Sequence, residues 1–344
     1  MTTNIEFFDR IDAPLTNNLC LYENIFIQLD VCNHMPKIDA DLQDKDKRKP
    51  GRESMVNIAC AQFEPIVGEI EQNREKTIEF LERAASEGAD LVVLPELANS
   101  GYVFNSREEA RNAAEPIPEG ETAKQWISVA SENELYIVGG YAEQDGGSLY
   151  NSAVLVGPDG YIGTHRKLHL WNEEKLWFEP GNQIEVFSTD IGRIGMQICY
   201  DQWFPELTRV QARKGADIIA EPTNWVPINE TERSGQLGSD DLARANYLAV
   251  ANAHMNAVWF ACADRIGTER GQPFLGRSLI VDPAGNTVAG PASQRDEELL
   301  LAKECNLMEA RTQKRWTDLN TISSDRRTDI YGEFDCVKND PHTV

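Results

Sequence analysis

From residue 56 onward, short apolar runs alternate with amphipathic segments. Apolar runs of this length indicate buried β-strands, whereas a spacing of three to four residues indicates helices. Ile78, Leu81 and Ala85 share one helical face, and Gly88 ends that helix. The pattern therefore predicts an α/β fold. The predicted strands are 56–63, 91–94, 136–138, 153–156, 193–198, 218–220 and 258–262, and two further helices are predicted at 206–214 and 240–250.

Two pairs of segments repeat along the chain. Residues 88–95 resemble residues 215–222, since both follow a helix and end a strand at a proline. Residues 154–160 resemble residues 279–285, and each runs from a strand into a turn with proline and glycine. Repeated elements of this kind indicate two halves related by a pseudo-twofold axis. They predict two sheets packed face to face, with helices outside.

The first 54 residues differ from the rest. Residues 39–52 are polar and dense in charge, which is typical of a solvated linker. We interpret residues 1–54 as an N-terminal extension that is flexible or contacts another subunit through its apolar stretch 21–31; sequence upstream of the true start codon is the other interpretation. Residues 55–344 are predicted to form one domain, with a C-terminal tail from about residue 300.

The charge balance narrows the choice of partners. The chain has 33 Lys and Arg against 56 Asp and Glu, a net charge of −23. Such a surface repels phosphate backbones and anionic lipid, so neither nucleic acid nor membrane is an expected partner. The acidity fits solubility and a salty cytoplasm equally well.

The cellular location of the protein is inferred from its apolar runs and its cysteines. No apolar run is long enough to cross a bilayer, and the start lacks the pattern of a secretory signal. The seven cysteines are widely spaced and contain no Cys-x-x-Cys pair, so zinc and redox motifs are absent. Reduced thiols in a cytoplasmic protein are the simplest interpretation.

Three residues could carry chemistry. Glu96 ends a buried aliphatic strand, where an unpaired carboxylate is costly; a solvated loop is the alternative. Lys167 follows a strand and could stabilise an oxyanion, or it could belong to a basic surface loop. Cys199 falls where a buried strand meets a helix, a place that suits a stabilised thiolate but also a structural cysteine.

The order of these three residues resembles the Glu-Lys-Cys triad of the carbon–nitrogen hydrolase (nitrilase) superfamily. The resemblance includes the motifs at 61–63, 174–181 and 223–225, and it covers about residues 55–290. It implies an α-β-β-α sandwich, in agreement with the two sheets inferred from the repeats. It also implies a homo-oligomer, often a dimer that stacks two sandwiches into four layers.

The resemblance implies a mechanism that the residue types support. Cys199 would attack the substrate carbon while Glu96 takes its proton and later activates water. Lys167 and the backbone N–H of Tyr200 would hold the oxyanion, and a thioester would form and hydrolyse. No step requires a metal or an organic cofactor. Glu174 matches the second glutamate of the family, which implies a positioning or proton-handling role. Neighbouring Glu173 and the weaker candidate Glu179 leave the register open.

Other residues are assigned by position. Tyr102 could line the pocket or belong to the core. Asn224 and Trp225 stand at the strand end that repeats the Glu96 strand, so we expect them, with Tyr200, to contact substrate. His165 and His169 flank Lys167 and are expected to be structural hydrogen-bonding residues. Asp201 is expected to fix the turn after Cys199, and Trp203 and Phe204 to form pocket wall or core.

The residues after the cysteine predict the branch. True nitrilases tend to have Cys-Trp-Glu or Cys-Gly-Glu, whereas this chain has Cys-Tyr-Asp at 199–201, as amidases and carbamoyl hydrolases do. Gln202 and Trp203 replace the arginines that hold an N-carbamoyl amino acid. We therefore predict an amidase for a small carboxamide. An N-carbamoyl amine hydrolase, which residues 201–206 resemble, comes second and a nitrilase third; a non-catalytic binding protein is the alternative from another class.

Overall fold

Two six-stranded sheets form the centre of the computed structural model, which describes residues 55–331. The extension 1–54 and the roles predicted for it lie outside the described residues. The strands are β1 (Met55–Gln62), β2 (Leu91–Val93), β3 (Tyr136–Asp145), β4 (Ser148–Gly157), β5 (Gly160–Arg166), β6 (Val186–Thr189), β7 (Gly192–Met196), β8 (Ile218–Pro222), β9 (Trp259–Ala263), β10 (Thr268–Glu269), β11 (Gln272–Pro273), β12 (Leu279–Val281), β13 (Thr287–Ala289) and β14 (Glu298–Asn306). The helices are α1 (Ile70–Ser86), α2 (Arg107–Ala113), α3 (Glu121–Asn133), α4 (Glu174–Trp177), α5 (Pro205–Arg213), α6 (Glu230–Arg233), α7 (Arg244–Asn256), α8 (Glu309–Thr312) and α9 (Thr328–Tyr331), with a 3-10 helix at Cys199–Trp203.

The two sheets have matching strand orders. The first is β14-β1-β2-β3-β4-β5, and the second, taken from its opposite end, is β6-β7-β8-β9-β12-β13. The repeated segments fall on equivalent strands, because β2 and β8 are third in their sheets and β4 and β12 are fifth. In each sheet the three strands around this third position run parallel, β1-β2-β3 and β7-β8-β9. In each sheet the carboxyl ends of these three strands therefore lie at one edge, and clefts open at such edges in α/β folds.

The layers follow from which residues each face buries. Ile58 and Val93 of the first sheet and Met196 of the second belong to the core between the sheets. On the outer face of the first sheet, Phe80 of α1 and Trp126 of α3 pack over Val92 and its neighbours. Helices α5 and α7 cover the second sheet: Gln197 at the end of β7 donates to Thr208 and Gln211 of α5. The predicted α-β-β-α sandwich is confirmed.

The boundary of one helix differs from the prediction. The helix expected at 240–250 is α7, which begins at Arg244. Residues before it form a turn, because the Asp241 carboxylate accepts the N–H of Gly238. Asn246, in the first turn of the helix, accepts the N–H of Ala243, the residue that precedes the helix. Polar side chains that bond the local backbone thus delay the start of the helix.

The end of the described chain continues the first sheet. Residues 298–306, where the C-terminal tail was expected to begin, form β14, which pairs antiparallel with β1. Helices α8 and α9 follow. The side chain of Arg311 in α8 pairs with Asp217, the residue before β8 of the second sheet. This part of the chain therefore packs on the sandwich.

Candidate active site

Glu96 is held where β2 leaves the first sheet. Pro95 accepts the N–H of Gly140 in β3, and the N–H of Ala98 bonds back to the Gly140 carbonyl. The Glu96 side chain is fully buried, and Asn151 of β4 donates to its Oε1 at 2.6 Å. Its Oε2 has no hydrogen-bond partner among residues 55–331. One carboxylate oxygen is therefore fixed and the other is available for a reacting group.

Lys167 lies between two carboxylates. It follows β5, and its N–H donates to the carbonyl of Asn151 at 2.8 Å. The fully buried Nζ atom lies 2.6 Å from Oε1 of Glu96 and 2.7 Å from Oε1 of Glu174. An ammonium group has three N–H donors, so these two bonds leave one for a ligand.

Glu174 begins α4 and is buried. Its Oε1 accepts from Lys167 and from the hydroxyl of Tyr102 at 2.5 Å, and its Oε2 accepts the N–H of Trp171 at 3.0 Å. Glu173 is exposed, and Glu179 pairs with Arg107 at the surface. Of the three glutamates considered from the sequence, only Glu174 contacts the buried lysine in the part of the chain described.

Cys199 stands at a strained turn. It follows β7 and begins the 3-10 helix Cys199–Trp203 with φ of 48°, in the left-handed region that residues other than glycine seldom adopt. Such strain persists where surrounding bonds enforce it, and it clusters at functional sites. Here the N–H of Asp201 bonds to the carbonyl of Ile198 at 3.0 Å. The turn places Cys199 just beyond the carboxyl end of β7.

Charges near Cys199 oppose one another. Burial raises the pKa of the Cys199 thiol well above its usual value and the Glu96 charge raises it further, whereas Lys167 lowers it. Burial would lower the pKa of Lys167, but the charges of Glu174 and Glu96 outweigh burial and raise it. Burial also raises the pKa of Glu174 to about 7, against the opposing charge of Lys167. The lysine therefore stays cationic, and the thiolate forms only with a base at hand.

Asp201 joins two parts of the site. Its buried carboxylate accepts from the backbone N–H of Ile198 and from both His165 and His169. Burial alone would raise the pKa of Asp201, but the hydrogen bonds from the two histidines hold it well below its usual value. The sequence expectation that Asp201 fixes the turn after Cys199, and that the histidines are hydrogen-bonding residues, is met.

The four residues assigned to substrate contact occupy different settings. Tyr102 belongs to the buried cluster through its bond to Glu174. Asn224 donates to the backbone carbonyl of Glu96 at 2.9 Å, which ties the ends of β2 and β8 together. Trp225 is buried, and its Nε1 has no hydrogen-bond partner within the described range. Tyr200 is half-buried among aromatic rings, namely Trp171, Trp203 and Phe204.

Sequence reasoning missed two residues of this cluster. Asn151 donates to Glu96, and its own Oδ1 lacks a partner in the described chain. The side chain of Thr223 is fully buried, and its Oγ1 has no hydrogen-bond partner among residues 55–331. A polar residue inside the apolar strand β4 was the only signal for Asn151. The motif at 223–225 contained Thr223, but only Asn224 and Trp225 were singled out.

No group of three or more His, Cys, Asp or Glu within residues 55–331 has the arrangement of a metal site. No helix in the same range is long and apolar enough to span a membrane.

Comparisons with known proteins identify the family. A family model described as carbon-nitrogen hydrolase matches residues 57–315. The chain therefore belongs to the carbon–nitrogen hydrolase family, and its predicted membership of the nitrilase superfamily, with amidase-like relatives, is confirmed.

Three similar proteins illustrate the range of the family. A nitrilase from Pyrococcus abyssi is 43% identical over 278 residues, which cover 80% of this chain and 99% of that protein. An N-carbamoylputrescine amidase from Solanum lycopersicum is 32% identical, covering 80% of this chain and 94% of the relative. The crystal structure of an amidase from Nesterenkonia sp. superposes with a TM-score of 0.63 at 25% identity, over 83% of this chain and 98% of that one.

Proposed function

We propose that this carbon–nitrogen hydrolase cleaves a small carboxamide to a carboxylic acid and ammonia through a thioester on Cys199. The observation that carries the proposal is the placement of Lys167 Nζ, 2.6 Å from Oε1 of Glu96, while Oε2 of Glu96 has no partner among residues 55–331. A fixed cation and a base with one free oxygen are what attack on an amide carbonyl needs.

The first half of the reaction forms the thioester. Oε2 of Glu96 takes the proton of the Cys199 thiol, and the sulfur bonds to the carbonyl carbon. The third N–H of Lys167 and the backbone N–H of Tyr200 donate to the oxyanion. Glu96 then gives its proton to the leaving nitrogen, the C–N bond breaks, and ammonia departs.

The second half frees the acid. Glu96 takes a proton from a water molecule, whose oxygen attacks the thioester carbon. The oxyanion again accepts hydrogen bonds from Lys167 and the backbone N–H of Tyr200. The C–S bond then breaks, and the departing thiolate takes the proton from Glu96. Glu174 holds Lys167 in place through the contact of its Oε1 with Nζ. Tyr102, Asn224 and Trp225 surround the acyl group.

Two other substrates follow from the relatives. The similarity to an N-carbamoylputrescine amidase supports a carbamoyl amine as the second candidate, and the similarity to a nitrilase supports a nitrile as the third. All three substrates share the cysteine attack. The residues at 199–201, Cys-Tyr-Asp, favour an amide or a carbamoyl amine over a nitrile, because true nitrilases tend to have other residues there.

A matched substrate series tests the choice. A carboxamide, a nitrile and a carbamoyl amine with the same side group would each be assayed for ammonia and acid. We expect the carboxamide to have the highest kcat/KM. A higher kcat/KM for the nitrile or the carbamoyl amine would assign the protein to the corresponding branch of the family. Turnover of none of the three compounds would favour the non-catalytic alternative.

The same proposal extends to the whole chain. Residues 55–344 would form the hydrolase domain of a cytoplasmic homo-oligomer, with residues 1–54 as an extension. The buried cysteines at 60, 199, 262 and 305 are unpaired, as expected of thiols in a reducing compartment. Light scattering of the full chain and of residues 55–344 would give the assembly size; a monomer in both would contradict the oligomer.

A further inference from the structure

The Asp201 carboxylate connects the segment that carries Lys167 to the turn that carries Cys199. On the side of the turn, Oδ2 accepts the backbone N–H of Ile198 at 3.1 Å. On the side of the lysine segment, Oδ1 accepts the backbone N–H of His169 at 3.0 Å. Each oxygen is therefore bonded to the backbone of a different catalytic segment.

Two histidines complete this connection. Nε2 of His165 lies 3.1 Å from Oδ2 of Asp201, and Nδ1 of His169 lies 2.8 Å from Oδ1. The histidines stand two residues before and two residues after Lys167. An ionised carboxylate only accepts hydrogen bonds, so the ring nitrogen that faces it carries a proton in each case. Four donors thus converge on one buried carboxylate, three of them from residues that flank the lysine.

We propose that Asp201 is a positioning residue that sets the separation between the Lys167 ammonium group and the Cys199 thiol. It acts through His165 and His169, and it touches neither substrate nor reacting atoms. The proposal rests on the proposed function, because the separation matters where the lysine holds an oxyanion that forms at the carbon attacked by the cysteine.

The geometry requires a carboxylate at this position. In Asp201→Asn, the amide nitrogen would face either the N–H of Ile198 or the N–H of His169. A histidine can change its tautomer, but a backbone N–H cannot become an acceptor. Either orientation therefore sets two donors against each other, and one of the two catalytic segments must shift. A displacement of about 1 Å in a catalytic group costs about 100-fold in rate.

The experiment compares four variants with wild type. Asp201→Asn breaks the connection, His169→Ala removes one ring donor, and His169→Asn keeps an N–H near the place of Nδ1. Asp217→Asn is the matched control, since Asp217 is also buried and accepts a backbone N–H and two bonds from Arg311, but lies at the opposite end of β8.

Three quantities are measured on the full chain. The first is kcat per site, with sites counted by iodoacetamide labelling of Cys199 and mass spectrometry. The second is KM, and the third is the pH dependence of the labelling rate. Because the charge of Lys167 favours the thiolate, a displaced lysine moves that pH dependence to higher pH.

We expect Asp201→Asn to lower kcat per site about 100-fold, to change KM less than about threefold and to shift the labelling profile to higher pH. His169→Ala should lower kcat about tenfold, as for one lost hydrogen bond to a charged group, and His169→Asn should stay near wild type. Asp217→Asn should lower the midpoint of thermal unfolding and change neither kcat per site nor the labelling profile.

Other results would overturn the proposal. Equal kcat per site and equal labelling profiles in Asp201→Asn and Asp217→Asn would leave Asp201 a stabilising residue only. If Asp201→Asn does not fold, identical labelling profiles of His169→Ala and His169→Asn would overturn it equally. If wild type turns over none of the substrates, the proposed function fails, whereas a shifted labelling profile in Asp201→Asn would still support the positioning role.

Discussion

Gly140 lies so close to Glu96 that a Cβ atom on Gly140 would overlap the Glu96 Cα atom and the carbonyl oxygen of Pro95. The same glycine bonds the segment on both sides, since its N–H donates to Pro95 and its carbonyl accepts from Ala98. The absence of a side chain in the middle of β3 therefore allows Glu96, the proposed catalytic base, to lie directly on the sheet.

Gly140→Ala should consequently displace Glu96. We expect kcat/KM to fall at least about 100-fold, because the backbone of the base cannot keep its place. Gly147→Ala is the matched control, since a Cβ atom there would meet no atom within 4 Å. Steady-state assays of both variants check the prediction. Normal activity in Gly140→Ala would show that the base tolerates the shift.

Tyr102→Phe tests the hydrogen bond from the Tyr102 hydroxyl to Glu174, which in turn contacts Lys167. Burial raises the pKa of Tyr102 well above its usual value, so the hydroxyl stays protonated and donates to Glu174. Its loss should lower kcat about tenfold by loosening the Glu174–Lys167 pair. Tyr161→Phe, which removes only a surface bond to Thr164, should leave kcat unchanged. Equal rates in the two variants would contradict a role for Tyr102.

The raised pKa of Glu174 predicts that the stability of the folded protein depends on pH. Its pKa is about 7 in the folded protein, mainly through burial, against an ordinary value of 4.5. The folded state therefore holds this proton more tightly than the unfolded state does. The resulting stabilisation is complete below pH 4.5 and is lost as the pH rises through 7, a change of about 3 kcal/mol.

Comparison of wild type with Glu174→Gln isolates this contribution, because the amide does not titrate in this range. The free energy of unfolding in urea should favour the variant more at pH 8 than at pH 5. Carboxylates remote from Glu174 cancel in the difference between the two proteins, whereas Glu96, which shares Lys167 with Glu174, does not. A difference that is constant with pH would mean that Glu174 ionises with an ordinary pKa.

Much of the site was predictable because strand ends can be found from local sequence. Glu96 and Cys199 each follow an apolar run, and the repeated segments indicated that β2 and β8 would occupy equivalent places in two sheets. In the fold the segments after β2 and β8 meet, since the backbone N–H of Glu96 bonds to the carbonyl of Thr223. This topology places Glu96 and Cys199, whereas Lys167 follows the outer strand β5, which pairs antiparallel with β4. That the three residues form a triad was implied by the resemblance to the nitrilase superfamily.

The supporting residues depend on contacts between distant segments. Asn151 reaches Glu96 across 55 positions of sequence, and the closeness of Gly140 to Glu96 exists only once β3 is paired. The choice between Glu174 and Glu179 is made by burial, since one faces the buried lysine and the other faces Arg107 at the surface. Local patterns contain none of these distances.

The most direct test of the account is rapid-quench mass spectrometry of the enzyme during turnover of a carboxamide. We predict an acyl group on the peptide that contains Cys199, both in wild type and in Cys305→Ala, which removes a different buried thiol. Cys199→Ala should show neither the adduct nor ammonia release. Ammonia release that persists in Cys199→Ala, or an acyl group on another residue, would contradict the proposed mechanism.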